Sequence, residues 1–279
     1  MNYAATIGFF DGVHSGHRYL IEQLKEAAAQ QQLKSAVITF ENHPKEVLIG
    51  KSPSLLTTFD ERIALLKSLN PDQIYCFNFE IVKDMTAREF MTILHNQCEV
   101  DALLMGYDHR FGSDQLNNIE DYIHIGEDVG IKIIPQQQAP EGDVSSTKIR
   151  HALSEGNIHT ANNYLGYSYH LSGTVVHGRG IGHQIGFPTA NIQTDSQKLI
   201  PKAGVYAVET NGHKAIVNIG TNPTVGNSEE TIELHIPAFE GELYGQKIDI
   251  RFIRRLRDEK KFASLEELTR QIKSDIASL

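Results

Sequence analysis

His14 and His17 stand three residues apart in the stretch Gly8-Phe9-Phe10-Asp11-Gly12-Val13-His14-Ser15-Gly16-His17. An apolar run from Ala4 to Ile7 precedes the stretch, and an amphipathic run from Tyr19 to Leu24 follows it. The pattern predicts a strand, a tight glycine turn and a helix. Such a junction aims backbone N–H groups and the positive end of a helix dipole at one point, which suits an anion such as phosphate. Gly8, Gly12 and Gly16 allow a ligand close to the backbone, and the imidazoles can donate hydrogen bonds to its oxygens. The same residues also read as an ordinary strand-to-helix loop or as a His-x-x-His metal pair. Zinc takes three or four protein ligands, and no Cys or carboxylate stands nearby at ligand spacing.

Three further groups could do chemistry. Ser146 and Thr147, with Arg150 one turn later, open a second helix; they serve as a plain cap or as an oxyanion grip with a forked guanidinium. Gly178 through Asn191 reads as a glycine-rich loop able to cover phosphate, with glycines at 178, 180, 182 and 186. Within it Thr189 and Asn191 offer hard oxygen ligands of the kind Mg²⁺ takes beside a nucleotide phosphate. Glu233 interrupts the apolar positions Ile232, Leu234 and Ile236, so alternation puts Glu233 and His235 on the opposite face. That face is either solvent-facing or lines a pocket. In the second case Glu233 is a candidate general base for a substrate hydroxyl.

The elements that must position these groups divide the chain. The first half alternates strands (4–7, 36–40, 74–77, 102–105, 131–134) with helices (18–32, from the Thr58-x-x-Glu61 capping box, 86–97, 114–130). That predicts a Rossmann-like parallel sheet covered on both faces, with ligands beyond the carboxyl ends of its strands. After Tyr164 helical periodicity gives way to short β-rich runs separated by glycine and Asn-Gly turns, which predicts an antiparallel barrel. Ser264-x-x-Glu267 opens a terminal helix. The expected domains are 1–156, a helical connector 157–170, and 171–279. The two cysteines, Cys76 and Cys98, read as buried reduced thiols. Net charge is −9, and residues 1–150 carry 13 Lys and Arg against 21 Asp and Glu. That balance argues against a general nucleic-acid binder. No run of 18 apolar residues or signal-peptide pattern occurs, so a cytoplasmic protein without a membrane partner is expected. The residues do not set an oligomeric state. The basic cluster Arg251, Arg254, Arg255, Arg257, Lys260 and Lys261 reads as the polar face of a strand and turn.

His-x-Gly-His between a first strand and a first helix resembles the signature of the nucleotidylyl transferase superfamily. The chain as a whole resembles the bacterial bifunctional riboflavin kinase/FAD synthetase family. The first half is similar through residues 8–17, Thr39-Phe40-Glu41-Asn42-His43-Pro44, Gly106-Tyr107-Asp108-His109-Arg110-Phe111-Gly112 and Ser145-Ser146-Thr147-Lys148-Ile149-Arg150. The second half is similar through residues 173–178, Gly186-Phe187-Pro188-Thr189-Ala190-Asn191, 219–224, 233–235, 241–245 and 255–257. The resemblance implies that riboflavin is phosphorylated to FMN in the C-terminal barrel and FMN adenylylated to FAD in the N-terminal domain, with ATP and Mg²⁺. His14 and His17 would contact ATP phosphates and the transition state. Gly8, Phe9, Asp11, Gly16, Asp108, Ser146, Thr147 and Arg150 would complete the first nucleotide site, and Gly178, Gly182, Pro188 and Asn191 the second. Thr189 and Asn191 would hold Mg²⁺, and Glu233 would be the base. The chain departs from the family's usual pattern at His183, where Arg is usual, at His109, where Phe is usual, and at Pro237-Ala238. Two other readings keep parts of the pattern: adenylylation of a different phosphate ester, and a non-catalytic flavin carrier.

Overall fold

The structure is a computed structural model that describes residues 2–51, 53–106, 109–137, 144–177, 186–224 and 227–279, with backbone only for 221–224 and 227–230. The chain separates into two compact units, Met1–Ser145 and Ser146–Leu279.

The first unit is built on five parallel strands: β1 (Tyr3–Ile7), β2 (Lys34–Phe40), β3 (Gln73–Phe77), β4 (Val100–Met105) and β5 (Lys132–Pro135), in the order β3-β2-β1-β4-β5. Alternation along β1 sends Ala4 into one core and Ala5 and Ile7 into another. Helix α1 (Ser15–Gln30) covers the first face with Ile21, Leu24 and Ala28, joined by Leu66 of α3 (Phe59–Ser68). Helices α5 (Ala87–Cys98) and α6 (Ile119–Val129) cover the other through Phe90, Met91, Leu94 and Tyr122. Two short helices, α2 (Pro44–Ile49) and α4 (Phe79–Val82), sit in the connections after β2 and β3. The capping box expected at Thr58/Glu61 forms, and a second forms at Thr86/Glu89. Because β1 pairs with β2 on one side and β4 on the other, the strand order reverses at β1. The glycine turn leaves its carboxyl end, the place where such sheets bind ligands.

The helix expected over 114–130 begins only at Ile119. Cys98 is buried as expected, but Cys76 is exposed. It lies on β3, an edge strand of the sheet, and an edge strand has neighbours on one side only.

The second unit opens with helices α7 (Ser146–Ser154) and α8 (Ile158–Leu165). A closed antiparallel barrel follows, made of β6 (His170–Val176), β7 (Ala190–Thr194), β8 (Gly204–Thr210), β9 (His213–Thr224), β10 (Asn227–His235) and β11 (Lys247–Arg257). Its strands run around the barrel in the order β10-β7-β6-β11-β8-β9. Helix α9 (Leu265–Ala277) ends the chain, capped by Ser264. The α7–α8 pair is tied to the barrel: Asn162 Nδ2 donates to the Phe252 carbonyl at 2.9 Å, and the Lys202 N–H donates to the Leu153 carbonyl at 3.0 Å.

Two features of the second unit differ from the sequence-based expectation. Residues 190–194 form a strand, where a loop extending to Asn191 was expected. Ile192 is the buried residue of that strand, so it lacks an apolar alternation that could announce it. The basic cluster is not simply a solvated face. Arg257 grips buried Asp275 of α9 with Nε and Nη2 at 2.8–3.2 Å, and Arg255 donates to the Ala203 carbonyl at 2.6 Å and to Asp258 at 2.8 Å.

Candidate functional site

In the first unit, the turn after β1 is held in a conformation that side chains resist. Phe10 and Val13 lie at φ 57° and 37°, in the left-handed region, and Gly12 at 79°. Strain of this kind persists only where the surroundings enforce it, and here they do. The Asp11 carboxylate is buried and accepts hydrogen bonds from the backbone N–H groups of Leu56 and Thr57 at 3.1 and 3.0 Å and from the Thr57 hydroxyl at 3.1 Å. The Gly12 N–H donates to Thr57 Oγ1 at 3.0 Å. Asp11, read from the sequence as part of the nucleotide site, thus braces the turn against residues 56–57. The segment 55–57 carried no signal in the sequence; its role follows from this contact.

Helix α1 begins at Ser15, earlier than expected, so Gly16 and His17 lie in its first turn and His14 is its cap residue. The His14 side chain makes no capping hydrogen bond, and the first turn holds no acidic residue. The positive end of the helix dipole therefore meets no acidic side chain of its own first turn. The His14 and His17 rings stack at 3.6 Å with 19° between planes, and Phe10 meets His17 edge-on at 5.2 Å. Parallel stacked imidazoles send their in-plane lone pairs side by side and cannot converge on one ion, which disfavours the zinc-pair reading. A Cβ on Gly16 would meet His14 Cε1 and Nδ1 at 3.3 Å, with the Val144 carbonyl at 3.7 Å. Gly16 is therefore small because the His14 ring lies against it.

Burial first, and the neighbouring His14 second, hold the His17 pKa well below 6.5. The imidazole is neutral at neutral pH, and its Nδ1 is buried with no hydrogen-bond partner among the described residues. The linkage has a definite sign. A histidine whose folded pKa is depressed supports the fold fully above its unfolded value of 6.5, and that support is lost as pH falls below it. The melting temperature of the first unit is expected to fall between pH 7.5 and pH 5, and less steeply in His17→Asn. An identical slope in the variant would refute a neutral His17 with a buried Nδ1.

Beside the turn lies a cavity of about 530 Å³ walled by Phe9, Phe40, Phe79, Phe90 and Phe111, with Lys83 and Arg110 among its polar groups. The sequence singled out only Phe9 among these, as part of the first nucleotide site, because the phenylalanines come from five separate segments. Asp108 lies outside the described residues. Ser146, Thr147 and Arg150 stand at the start of α7, which belongs to the second compact unit; Ile149, Ala152 and Leu153 give that helix its buried side.

In the second unit the strand pairing assembles what the sequence left apart. Glu233 of β10 lies directly opposite Asn191 of β7 and, on its other side, opposite Asn218 of β9. Directly opposed residues share a sheet face, so Glu233, Asn191 and Asn218 project together, away from buried Ile232 and Leu234. That face is not plain solvent: Glu233 is half-buried and His235 is buried. His235 Nδ1 lies 2.8 Å from the Pro188 carbonyl, so it donates there, and the Phe187 ring packs edge-on against the imidazole at 5.7 Å. This clamp fixes the chain just before Thr189. Asn191 stands directly across from Glu233, and Thr189 lies two residues before it, between the clamped Pro188 and the start of β7. Hard oxygens flanking a carboxylate fit a Mg²⁺ site that draws its remaining ligands from phosphate and water. Gly178, Gly182 and His183 lie outside the described residues.

Family models match both parts of the chain: one for FAD synthetase over residues 1–148 and one for riboflavin kinase over residues 165–279. A Listeria monocytogenes protein named bifunctional riboflavin kinase/FMN adenylyltransferase is 36% identical across 99% of this chain and 90% of its own length. Its namesake in Escherichia coli K12 is 37% identical across 97% of this chain and 89% of its own length. A crystal structure from Streptococcus pneumoniae, described as a macrolide-efflux protein, superposes with a TM-score of 0.88 at 31% identity and covers 99% of this chain and 93% of that one. Among the described residues no helix is long and apolar enough to cross a membrane. With a glycine- and histidine-bearing turn on a parallel sheet, a carboxylate paired with an asparagine on a barrel, and relatives matched over almost their whole length, the chain belongs to the family of bifunctional riboflavin kinase/FMN adenylyltransferases.

Proposed function

We propose that the two reactions of this enzyme are divided between its units: the barrel phosphorylates riboflavin to FMN with ATP, and the parallel-sheet unit adenylylates FMN to FAD with release of pyrophosphate. The observation that carries the division is the pairing of Glu233 with Asn191. It puts a carboxylate next to candidate oxygen ligands in the barrel, whereas the sheet unit offers two imidazoles, with that of His17 neutral, and a helix N-terminus.

The two acceptors need different help. The terminal ribityl hydroxyl of riboflavin must lose a proton as it attacks the γ-phosphorus of ATP, and Glu233 is the group to take it. Thr189 and Asn191 would hold Mg²⁺, which neutralises charge on the transferring phosphoryl group. His235 keeps Thr189 in place through the Pro188 carbonyl. The phosphate of FMN, in contrast, is already ionised when it attacks the α-phosphorus of a second ATP. Its site needs donors where charge develops, not a base. His14, His17 and the N–H groups of the first turn of α1 are such donors. Gly8 makes room for the Phe10 ring and Gly16 for the His14 ring, and Asp11 holds the turn in shape. The phenylalanine-walled cavity matches a planar aromatic ring system, and we assign it to the flavin of FMN. Ser146, Thr147 and Arg150 are phosphate-binding groups in this reading, as the family resemblance implies, and the proposed domain bounds are 1–156 and 171–279 with a connector at 157–170. The protein works in the cytoplasm on small molecules and takes no nucleic acid.

The direct test is to incubate the purified protein with riboflavin, ATP and Mg²⁺ and separate the flavins over time. FMN is expected first and FAD after it, with FAD forming at once when FMN is supplied. Adenylylation of a different phosphate ester in preference to FMN would overturn the assignment of the first unit.

A further inference from the structure

Arg62 heads the largest fully buried side chains among the described residues, at 0% exposure, and neither reaction as described uses it. It stands in the first half of α3, just after the capping box. Its Nη2 donates to the Phe40 carbonyl at 2.6 Å and to the Glu41 carbonyl at 3.4 Å, the last backbone acceptors of β2 and the loop beyond it. The guanidinium carbon lies 3.9 Å from the centre of the Phe9 ring and 5.5 Å from that of Phe59. Nε and Nη1 are buried with no hydrogen-bond partner among the described residues. The rings of Phe9 and Phe59 lie against the guanidinium, and a flat guanidinium can stack on such a face as an ammonium cannot. Burial lowers its pKa to about 10, against the opposing pull of Asp11 and Cys76, so the group stays charged at neutral pH. A buried cation left partly unsatisfied is costly. In return it joins the turn after β1 to the end of β2 at the wall of the flavin cavity, since Phe9 and Phe40 both line it. Phe9 is also followed directly by the strained turn from Phe10 to Val13, which leads into His14.

We propose that Arg62 is a positioning residue for FMN adenylylation: stacked on Phe9 and bonded to the end of β2, it sets the wall of the flavin cavity and the entry into the histidine turn. The inference rests on placing that reaction in the first unit, which His17→Asn tests separately. Arg62→Lys keeps the charge and can reach one carbonyl, but it loses the flat stack on Phe9. In the full-length enzyme it is expected to raise the KM for FMN several-fold and to lower kcat/KM for FMN by about tenfold, the scale of a small misplacement of reacting groups. Riboflavin phosphorylation in the same protein is expected to be unchanged. Simple loss of folded enzyme would lower kcat and leave the KM alone, so an unaltered KM for FMN in Arg62→Lys overturns the proposal. A double-mutant cycle with Phe9→Leu gives a second reading. If Arg62 acts through Phe9, the two losses are not additive, and full additivity overturns the proposal as well.

Discussion

Glu233→Gln is expected to lower riboflavin phosphorylation about a thousandfold, within the span typical of removing a positioned general base. The amide is nearly the size and shape of the carboxylate, so the β10–β7 pairing that sets Glu233 against Asn191 is expected to survive. What is lost is the ability to accept the ribityl proton. With FMN supplied, FAD synthesis is expected to run at the wild-type rate. With riboflavin supplied, neither FMN nor FAD is expected to accumulate. Phosphorylation within tenfold of wild type would remove Glu233 from the chemistry. Loss of both reactions in a folded protein would remove the two-site assignment itself.

The reciprocal experiment is His17→Asn. FMN adenylylation is expected to fall about a hundredfold or more, the cost of deleting one preorganised donor to developing charge, while riboflavin phosphorylation persists. With riboflavin as substrate the variant is expected to accumulate FMN. Three features of His17 lead to this expectation: its place in the first turn of α1, its stack on His14, and its neutral imidazole. A neutral imidazole donates a single N–H and brings no charge of its own, so the helix end supplies the favourable field. An adenylylation rate unchanged in His17→Asn would mean that the turn binds something other than the reacting phosphates.

The two variants probe sites that were not equally legible in the sequence. The histidine turn is local. Strand, turn and helix follow one another within thirty residues, so periodicity and glycine spacing announce them. Even there the brace was hidden: Asp11 read as a ligand contact, and its carboxylate is held by Leu56 and Thr57, 45 and 46 positions further along the chain. The barrel site is not local. Glu233 and Asn191 are 42 residues apart, and what joins them is a pairing register. A strand such as β7, which buries little beyond Ile192, leaves almost no trace in a hydrophobic pattern. For the same reason Glu233 and His235 looked alike in the sequence. The structure buries His235 against Pro188 and Phe187 and leaves Glu233 half-buried beside Asn191.

By itself, then, the sequence determined the order of elements, the change from a parallel sheet to a barrel, and the residue types able to carry phosphate chemistry. These are properties of short stretches, where alternation, capping and glycine act over a few positions. Only the tertiary structure decided which of those residues share a face, that Arg62 is a buried strut and not a surface charge, and that Arg257 is bound to Asp275 instead of facing solvent. Such outcomes depend on strand register and on the burial of side chains distant in sequence, and both are settled by packing over the whole domain.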